Sequence, residues 1–334
     1  MVTLADVGRI AGVSTATVSH VLNQTRYVSD ETKERVYAAL DETGYQLNPF
    51  ARALRKDTSD LVGFVVSDLA NPYSMEIMKG IEAGTRASRR TLVVANTDDD
   101  PQLELESFQA FGRNRVAGLI TALSAESSPK SLDYLKKAEF PVVLVDTPTT
   151  EPFDQVIVNG RDPSRTVVEH LIELGHSRIA VMAGQESNAN NRERVAGWTN
   201  AMQAHGLNCS ASLIHYSGRD TQRTRDQARE LLTSAEPPTA IFATSNRVAE
   251  GLLETVGELG LRMPDDLSVV VFDEPPFANL IQPRLTCIAQ PTLEIGTEAV
   301  RLMMERIKDR DLPPNRVVLE PTIQHGGSCC HGPF

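Results

Sequence analysis

Residues 3–55 read TLADVGRIAGVSTATVSHVLNQTRYVSDETKERVYAALDETGYQLNPFARALR, and this stretch carries the most specific motif of the chain. Thr3 and Asp6 have the spacing of a capping box, which indicates that a helix begins here. The Gly-Val-Ser at residues 12–14 offers a backbone able to turn tightly and a serine able to cap a second helix, which runs to about Asn23. Two short helices joined in this way predict a helix-turn-helix.

The second helix has two different faces. Its buried side is predicted to consist of Val18, Val21 and Leu22. The opposite face is short, polar and free of acidic groups, and it carries Thr15, Ala16, Ser19 and His20. A third helix is predicted to follow Ser29 and to end at Thr43, because Gly44 is a typical helix stop.

The charge of the chain does not by itself suggest nucleic acid. The net charge is −11, and residues 1–58 carry seven basic and seven acidic side chains. The remaining residues therefore hold 26 of the 33 basic groups and 37 of the 44 acidic groups. A general polyanion binder would be basic, so the motif predicts DNA binding and the charge of the chain does not.

The compartment follows from what the sequence lacks. The start of the chain shows no basic segment followed by an apolar one, and no apolar run approaches the ~20 residues of a membrane helix, so we expect a cytoplasmic protein. Four scattered cysteines form no disulfide framework. The tail with Cys329 and Cys330 matches no zinc spacing, and we expect neither a metal nor a cofactor.

From Leu61 onward, short apolar strands alternate with amphipathic helices. The predicted strands are Leu61–Ser67, Thr91–Asn96, Gly118–Thr121, Val142–Asp146, Val156–Asn159, Ile179–Ala183, Ala240–Thr244 and Ser268–Phe272. The predicted helices include Met75–Arg89, Ser164–Leu174, Arg194–His205, Arg223–Thr233 and Val248–Leu259. This alternation predicts two doubly wound α/β subdomains with parallel sheets. A ligand cleft is expected between them, at the carboxyl ends of the strands.

Both parts of the chain resemble the LacI family of bacterial transcriptional regulators, which includes the lactose and purine repressors. The headpiece motif TLADVGRIAGVSTATVSHVLN carries the resemblance at the start of the chain. Further segments similar to the family's core are VNGRDPSRTVVEHLIELGHSRIAVMAG from Val158, RVAGWTNAM from Arg194, ELGLRMPDDLSVVVFDEPPF from Glu258 and LTCIAQPTLEIGTEAVRLMMERI from Leu285. The resemblance implies an all-α helix-turn-helix headpiece followed by a core like that of periplasmic sugar-binding proteins.

The resemblance also implies the domain boundaries. Residues 1–47 would form the DNA-binding headpiece, residues 48–58 a hinge helix, and residues 59–334 the effector-binding and dimerisation core. Within the core, the N-subdomain would hold residues 60–160 and 291–322. The C-subdomain would hold residues 161–290 and 323–334. The chain would then cross between subdomains near residues 160, 290 and 322.

By the same resemblance, the second helix enters the major groove of operator DNA. Base edges would be contacted by Thr15, Ala16 and His20, and phosphates by Ser14, Thr17 and Ser19. Thr3 and Asn23 are assigned to the same DNA-binding surface. Many relatives have arginine at the position of His20. Histidine cannot grip guanine through two hydrogen bonds as arginine can, so the base read here stays open.

Residues 48–55, NPFARALR, are predicted to form the hinge. Asn48 is a good helix cap and Pro49 suits the first helical turn, yet a helix of one or two turns does not hold in water alone. In the family this segment orders on DNA and inserts a leucine into the minor groove, and Leu54 occupies that position. A plain linker is the alternative.

The effector contacts implied by the resemblance lie on loops that follow strands. They are Asn71, Tyr73, Arg194, Trp198, Asn246, Asp273 and Phe277. Arginine, aspartate and asparagine can surround sugar hydroxyls, and aromatic rings can cover apolar faces. Trp198 could instead be a core residue, and Arg192 either an anion contact or a surface residue. Many relatives have Asn-Asp at Ser245-Asn246, so not every polar contact of the common sugar pocket carries over.

Three classes of function compete. An enzyme would need a catalytic constellation, and the chain has no GxSxG elbow, Walker loop, HExxH or GxGxxG after its first strand. A stand-alone sugar-binding transport protein would need a signal peptide and no helix-turn-helix. A repressor needs both a headpiece and a sensor. We therefore predict a repressor that binds a palindromic operator as a dimer or tetramer.

The expected effector is a sugar, sugar acid or sugar phosphate, with a purine-type corepressor as the alternative. The dimer surface is expected on the core, with the helix Met75–Arg89 taking part. The sequence is compatible with an effector that releases DNA and with one that promotes DNA binding.

Overall fold

The computed structural model of the chain describes residues 2–44 except 24–25, and residues 59–332 except 125, 219 and 277. At Asn23 and Asn279 it describes the backbone alone. The predicted hinge, with Leu54, lies outside the described residues, as does Phe277. The chain divides into two compact units, Met1–Ser59 and Asp60–Phe334.

The first unit contains the predicted helix-turn-helix. Its helices are α1 (Leu4–Ala11), α2 (Thr15–Asn23) and α3 (Asp30–Thr43). Thr3 and Asp6 form the capping box in both directions, and Gly12 ends α1 with a φ of 67°. A left-handed backbone is readily available to glycine, which explains the tight turn into α2. Val7, Val18 and Val36 are fully buried at the centre of the three helices.

The second unit alternates strands and helices. In chain order its elements are β1 (Leu61–Val66), α4 (Pro72–Ala87), β2 (Thr91–Asn96), α5 (Pro101–Arg113), β3 (Gly118–Thr121), α6 (Pro129–Lys136), β4 (Val142–Val145), β5 (Asp154–Val158), α7 (Arg161–Glu173), β6 (Ile179–Ala183), α8 (Ala189–Ala204), β7 (Ile214–Tyr216), α9 (Thr221–Leu232), β8 (Ala240–Ala243), α10 (Asn246–Glu258), β9 (Ser268–Phe272), β10 (Thr286–Ala289), α11 (Thr292–Lys308), β11 (Arg316–Leu319) and β12 (Thr322–Gln324). Short 3₁₀ turns precede β7 and follow β9.

These strands form two sheets, and each has six strands among the described residues. The first sheet has the order β11-β5-β4-β3-β1-β2 and the second has the order β12-β10-β9-β8-β6-β7. Neighbouring strands are parallel except β10 and β12, which are antiparallel. In the first sheet Phe64 is in register with Val94 and Ile120. The predicted fold class, a helical headpiece with two doubly wound subdomains, is confirmed.

Each sheet is covered by helices on both faces, because its strands are apolar on both sides. In the first subdomain α4 and α11 pack closely against each other over one face. A Cβ added at Gly80 would lie 2.4 Å from the carbonyl oxygen of Leu293, and one at Gly296 would lie 2.4 Å from that of Ile77. These two glycines therefore allow the two helix backbones to touch. The second subdomain has its own core, which includes Trp198, Phe242 and Phe272.

Within the described residues the chain passes between the two sheets three times. The passages lie between β5 and α7, between β10 and α11, and between β11 and β12. The side-chain amide of Asn159 donates to the Glu320 carboxylate at 3.2 Å, which ties the first passage to the third. Each subdomain is thus built from separate stretches of sequence.

The structure differs from the sequence prediction in several elements. Arg194 does not open its helix, because α8 begins at Ala189 with Asn188 as its cap. The strand predicted from Val156 begins two residues earlier, at Asp154. The sequence prediction missed β7, β10, β11 and β12. Three of these have at most four residues and are only partly buried, so their apolar pattern is weak. Among the described residues, none of the helices combines the length and the apolar character needed to span a bilayer.

Candidate functional site

The candidate DNA-reading surface is the outer face of α2. Thr15 and Ala16 are exposed, and Ser19 and His20 are half-buried. The Ser14 hydroxyl accepts the Thr17 amide N–H at 3.1 Å, so Ser14 caps the start of α2, and it also contacts the Thr17 hydroxyl at 2.9 Å. This face has no acidic side chain that would repel phosphate.

Thr3 marks the start of α1 on the same unit. Its hydroxyl donates to the Asp6 carboxylate at 2.7 Å, and these hydrogen bonds lower the pKa of Asp6. Thr3 is exposed. The side chain of Asn23 and the whole of Leu54 lie outside what the structure describes.

The candidate effector site is a cleft between the two subdomains of the second unit. The cleft lies at the carboxyl ends of the parallel strands, where the loops of both sheets meet. It encloses a cavity of about 180 Å³. The lining includes residues from both subdomains, among them Asn71, Tyr73, Asp146, Asn190, Arg194 and Asp273.

Arg194 is the central cation of this cleft. It is only 7% exposed, and its Nη1 donates to the carbonyl oxygen of Thr244 at 2.7 Å. Its guanidinium stacks on the Phe272 ring, 3.7 Å from the centroid. Its Nε finds no hydrogen-bond partner among the described residues. A buried guanidinium with a spare donor is suited to holding a polar ligand.

Two carboxylates lie near this guanidinium, one from each subdomain. Asp146 follows β4 with a φ of 51°, and Asp273 follows β9 with a φ of 76°. Aspartate tolerates a left-handed backbone better than most residues, and such strained conformations concentrate at functional sites. Burial raises the pKa of Asp146 to about 6, although the positive charge of Arg194 opposes the increase. Burial likewise raises the pKa of Asp273, again against the effect of Arg194.

A chain of hydrogen bonds connects the two subdomains through the second passage. The Tyr73 hydroxyl donates to Gln290 Oε1 at 3.3 Å, and Gln290 Nε2 donates to Asp273 Oδ1 at 2.5 Å. Burial, followed by the charges of Asp146 and Asp273, raises the pKa of Tyr73 well above its usual value. Asn71 fixes the start of this chain, because its side chain accepts the Tyr73 amide N–H at 3.1 Å.

Four of the predicted effector residues meet in the cavity: Asn71, Tyr73, Arg194 and Asp273. Asn246 is 9% exposed and lines a neighbouring cavity of about 820 Å³ that shares Tyr73 and Asp273 with the first. Its Oδ1 finds no partner among the described residues, while its backbone N–H lowers the pKa of Asp273.

The placement of Trp198 in the effector site is wrong. Its side chain is fully buried in the core of the second subdomain, among residues such as Met182 and Phe242. It lies one turn after Arg194 on the same buried face of α8. Arg194 lies nearer the start of the helix and lines the cleft, whereas Trp198 lies one turn further along and packs within the core. Phe277 lies outside the described residues. Arg192 is exposed and donates to the carbonyl oxygens of Glu186 and Ser187, as expected for a surface residue.

The sequence prediction missed several cleft residues. The sequence pattern predicts Asp146 as the last residue of a strand, although its position directly after β4 is a usual place for a ligand contact. Asn190 donates through Nδ2 to the Asp146 carbonyl oxygen at 2.8 Å. Gln290 directly follows β10, a strand that the sequence did not reveal. The ion pair between Asp68 and Arg247 could not be inferred, because it joins residues far apart in the chain.

A helix-turn-helix unit and a two-subdomain cleft in one chain define a DNA-binding regulator that responds to a ligand. Residues 3–48 match "Bacterial regulatory proteins, lacI family", and residues 168–329 match "Periplasmic binding protein-like domain". The chain is 32% identical over 313 residues to the HTH-type transcriptional repressor PurR of Photobacterium profundum, which covers 93% of both chains.

Solved structures agree with these matches. The lac repressor dimer bound to operator and the anti-inducer ONPF has a TM-score of 0.88 and 27% identity, covering 98% of this chain and 99% of the other. A LacI-family regulator from Enterococcus faecium with bound ribose has a TM-score of 0.73 and 26% identity, covering 82% of this chain and 100% of the other. The chain belongs to the lacI family of bacterial regulatory proteins. It is a transcriptional repressor that binds operator DNA and is regulated by a small molecule in its core.

Proposed function

We propose that the effector is a neutral sugar of about monosaccharide size. The buried Arg194 between Asp146 and Asp273 is the observation that supports this most directly. Carboxylates accept hydrogen bonds from hydroxyl groups, and a guanidinium donates hydrogen bonds to hydroxyl oxygens. This arrangement therefore suits the hydroxyl groups of a sugar ring. Asn190 and Asn71 add amide groups to the same cavity.

The charge of the cavity disfavours an acidic effector. Its described lining carries four carboxylates, from Asp68, Asp99, Asp146 and Asp273, against two guanidinium groups, from Arg194 and Arg247. A sugar acid or sugar phosphate would add negative charge to a site that already has an excess of it. We therefore narrow the expected effector class to neutral sugars.

The cavity also favours a sugar over a purine. Its volume of about 180 Å³ is below the roughly 300 Å³ at the lower end of common ligand pockets, which sets the size of the ligand for a sugar and a purine base alike. Trp198, which could have stacked on a purine base, lies in the core instead. The ribose bound to the Enterococcus faecium regulator is a ligand of the proposed class in a related fold.

A thermal-shift screen tests the effector class, because a ligand that binds only the folded state raises the melting temperature. The compounds are D-ribose, D-glucose, D-gluconate, glucose 6-phosphate and hypoxanthine. We expect a shift with a neutral sugar and none with the anions or the purine. A shift caused by gluconate, glucose 6-phosphate or hypoxanthine alone would contradict the assignment.

The Asp273→Ala variant tests the site itself. It removes a carboxylate that faces the cavity and the partner of Gln290. Losing a charged hydrogen-bond acceptor costs about 1.5–3 kcal/mol, so effector affinity should fall by about 10- to 100-fold. Operator affinity without effector should stay within about twofold, because the headpiece is a separate compact unit. A normal effector response in this variant would refute the placement of the site.

For DNA, we propose that a dimer places one α2 helix in each half of a palindromic operator. Thr15, Ala16 and His20 would contact base edges. Phosphates and the surrounding backbone would be held by Ser14, Thr17, Ser19, Thr3 and Asn23. The exposed, acid-free face of α2 supports this arrangement. Such a repressor acts in the cytoplasm, where the chromosomal operator is found.

A fluorescence-anisotropy titration with a palindromic duplex tests the DNA assignment. His20→Ala should weaken binding to the preferred operator by about 5- to 100-fold and have little effect on non-specific DNA. Equal losses on both duplexes would mean that His20 reads no base. Sedimentation of the free protein and of the complex gives the oligomeric state. We propose that the sugar lowers operator affinity, which the same titration with added sugar measures.

A further inference from the structure

An ion pair crosses the effector cleft. Asp68 lies two residues after β1 in the first subdomain, and Arg247 is the second residue of α10 in the second subdomain. Arg247 Nη2 donates to Asp68 Oδ2. Asp68 Oδ1 accepts the Ala70 amide N–H at 2.9 Å, which holds the carboxylate in place. Both side chains line the cavity.

A second contact crosses the cleft at a different place. Asn190 Nδ2, from the second subdomain, donates to the Asp146 carbonyl oxygen at 2.8 Å in the first. Asp68 follows β1 and Asp146 follows β4, and β3 lies between these two strands. Strands are about 4.8 Å apart, so the two contacts are separated by roughly 10 Å. Ala122 and Leu123, which follow β3, line the cavity between them.

The two contacts differ in chemistry. The Asn190 contact joins a neutral amide to a backbone carbonyl. The Arg247 contact joins two charged side chains that can separate without moving either backbone. The side chain of Arg247 is 39% exposed and that of Asp68 is 17% exposed, so water and salt reach the ion pair. The cleft is therefore held on one side by a neutral contact and on the other by a charged, separable one.

We propose that the Arg247–Asp68 ion pair is the latch of the effector cleft. It keeps the two subdomains closed over the cavity, and its opening admits and releases the effector. This proposal rests on the proposed function only for the chemical class of the ligand that the cleft encloses. The closed state is held by the pair whether or not a ligand is bound, and ionic strength weakens it.

Amide hydrogen exchange of the ligand-free full chain tests the latch, because cleft opening exposes backbone amides of the loops on both sides. The peptides to follow cover residues 67–74 and 184–191. Arg247→Gln and Asp68→Asn each remove one charge, and the asparagine retains the oxygen that accepts the Ala70 amide. We expect each variant to speed exchange of these peptides at least about threefold, and the double variant to equal the single ones.

Arg229→Gln is the matched control. Arg229 on α9 pairs with Glu258 on α10, both within the second subdomain, so its loss should leave cleft exchange unchanged. In the wild type, about 0.5 M NaCl should speed exchange of the cleft peptides, and in Arg247→Gln it should not. Unchanged exchange in both single variants, or additive effects in the double variant, would overturn the latch. If no neutral sugar raised the melting temperature, the proposed effector would be overturned, and the exchange result for the ion pair would be unaffected.

Discussion

Replacing Asp146 with asparagine is expected to stabilise the core near neutral pH. Burial raises the pKa of the Asp146 carboxyl from 3.8 to about 6. Each pKa unit is worth about 1.4 kcal/mol, so the ionised carboxylate costs the folded core about 3 kcal/mol at pH 7.5. Asparagine resembles the protonated form in shape and carries no charge. The variant should therefore gain up to about 3 kcal/mol in the free energy of unfolding at that pH.

The sign of the pH dependence follows from the raised pKa. The folded protein holds the proton of Asp146 more tightly than the unfolded chain does. The stabilisation from this proton is complete below about pH 3.8 and is lost as pH rises through about 6. The difference in the free energy of unfolding between the variant and the wild type should thus be largest above pH 6.5. It should fall to about half near pH 5.

Urea unfolding at pH 7.5 and pH 5 measures this difference. Trp198, the single tryptophan of the chain, is buried in the core and reports its unfolding by fluorescence. Asp133→Asn makes the same chemical change on the exposed side of α6 and should shift stability by less than about 0.5 kcal/mol. A destabilised Asp146→Asn variant at pH 7.5, or a gain that does not shrink toward pH 5, would refute the burial of this charge.

Three further predictions concern the hinge, the packing of the first subdomain and an open helix position in the second. Leu54→Ser should lower operator affinity at least about tenfold and leave sugar binding intact, because an apolar wedge in the minor groove would be lost; an unchanged anisotropy titration would contradict the wedge. Gly80→Ala should destabilise the core by about 1–3 kcal/mol, since the new methyl group would meet the carbonyl oxygen of Leu293 at 2.4 Å. Gly257→Ala on α10 meets nothing within 4 Å and should instead stabilise by about 0.5–1 kcal/mol in the same urea assay.

Local signals in the sequence were enough for the headpiece and for most strands of the core. The capping box of Thr3 and Asp6 and the turn at Gly12 act over a few residues, and the structure contains both. The buried strands β1, β4 and β9 are continuous apolar runs, which is typical of parallel sheets. Short partly exposed strands such as β11 lack such a run, because they depend on pairing with a distant strand.

The effector site was harder to predict from the sequence than the fold, because its geometry depends on contacts between residues that are far apart in the chain. Asn71, Tyr73, Arg194 and Asp273 were carried over from the family, and the structure brings them together in one cavity. Trp198 lies on the same buried face of α8 as Arg194, one turn further along and inside the core, and a resemblance by position does not reveal how deep a side chain lies. The pKa of Asp146 depends on burial and on charges from the other subdomain, which only the folded chain displays.

The path of the chain through its two sheets also limits how the protein can be recombined. Because three passages link the subdomains within the described residues, neither subdomain is a single segment that could be cut out or exchanged at one junction. The first unit, by contrast, ends at Ser59 and is continuous in sequence. A single crossover at this residue would join the first unit to the core of another regulator. Operator choice and effector choice could then be exchanged separately.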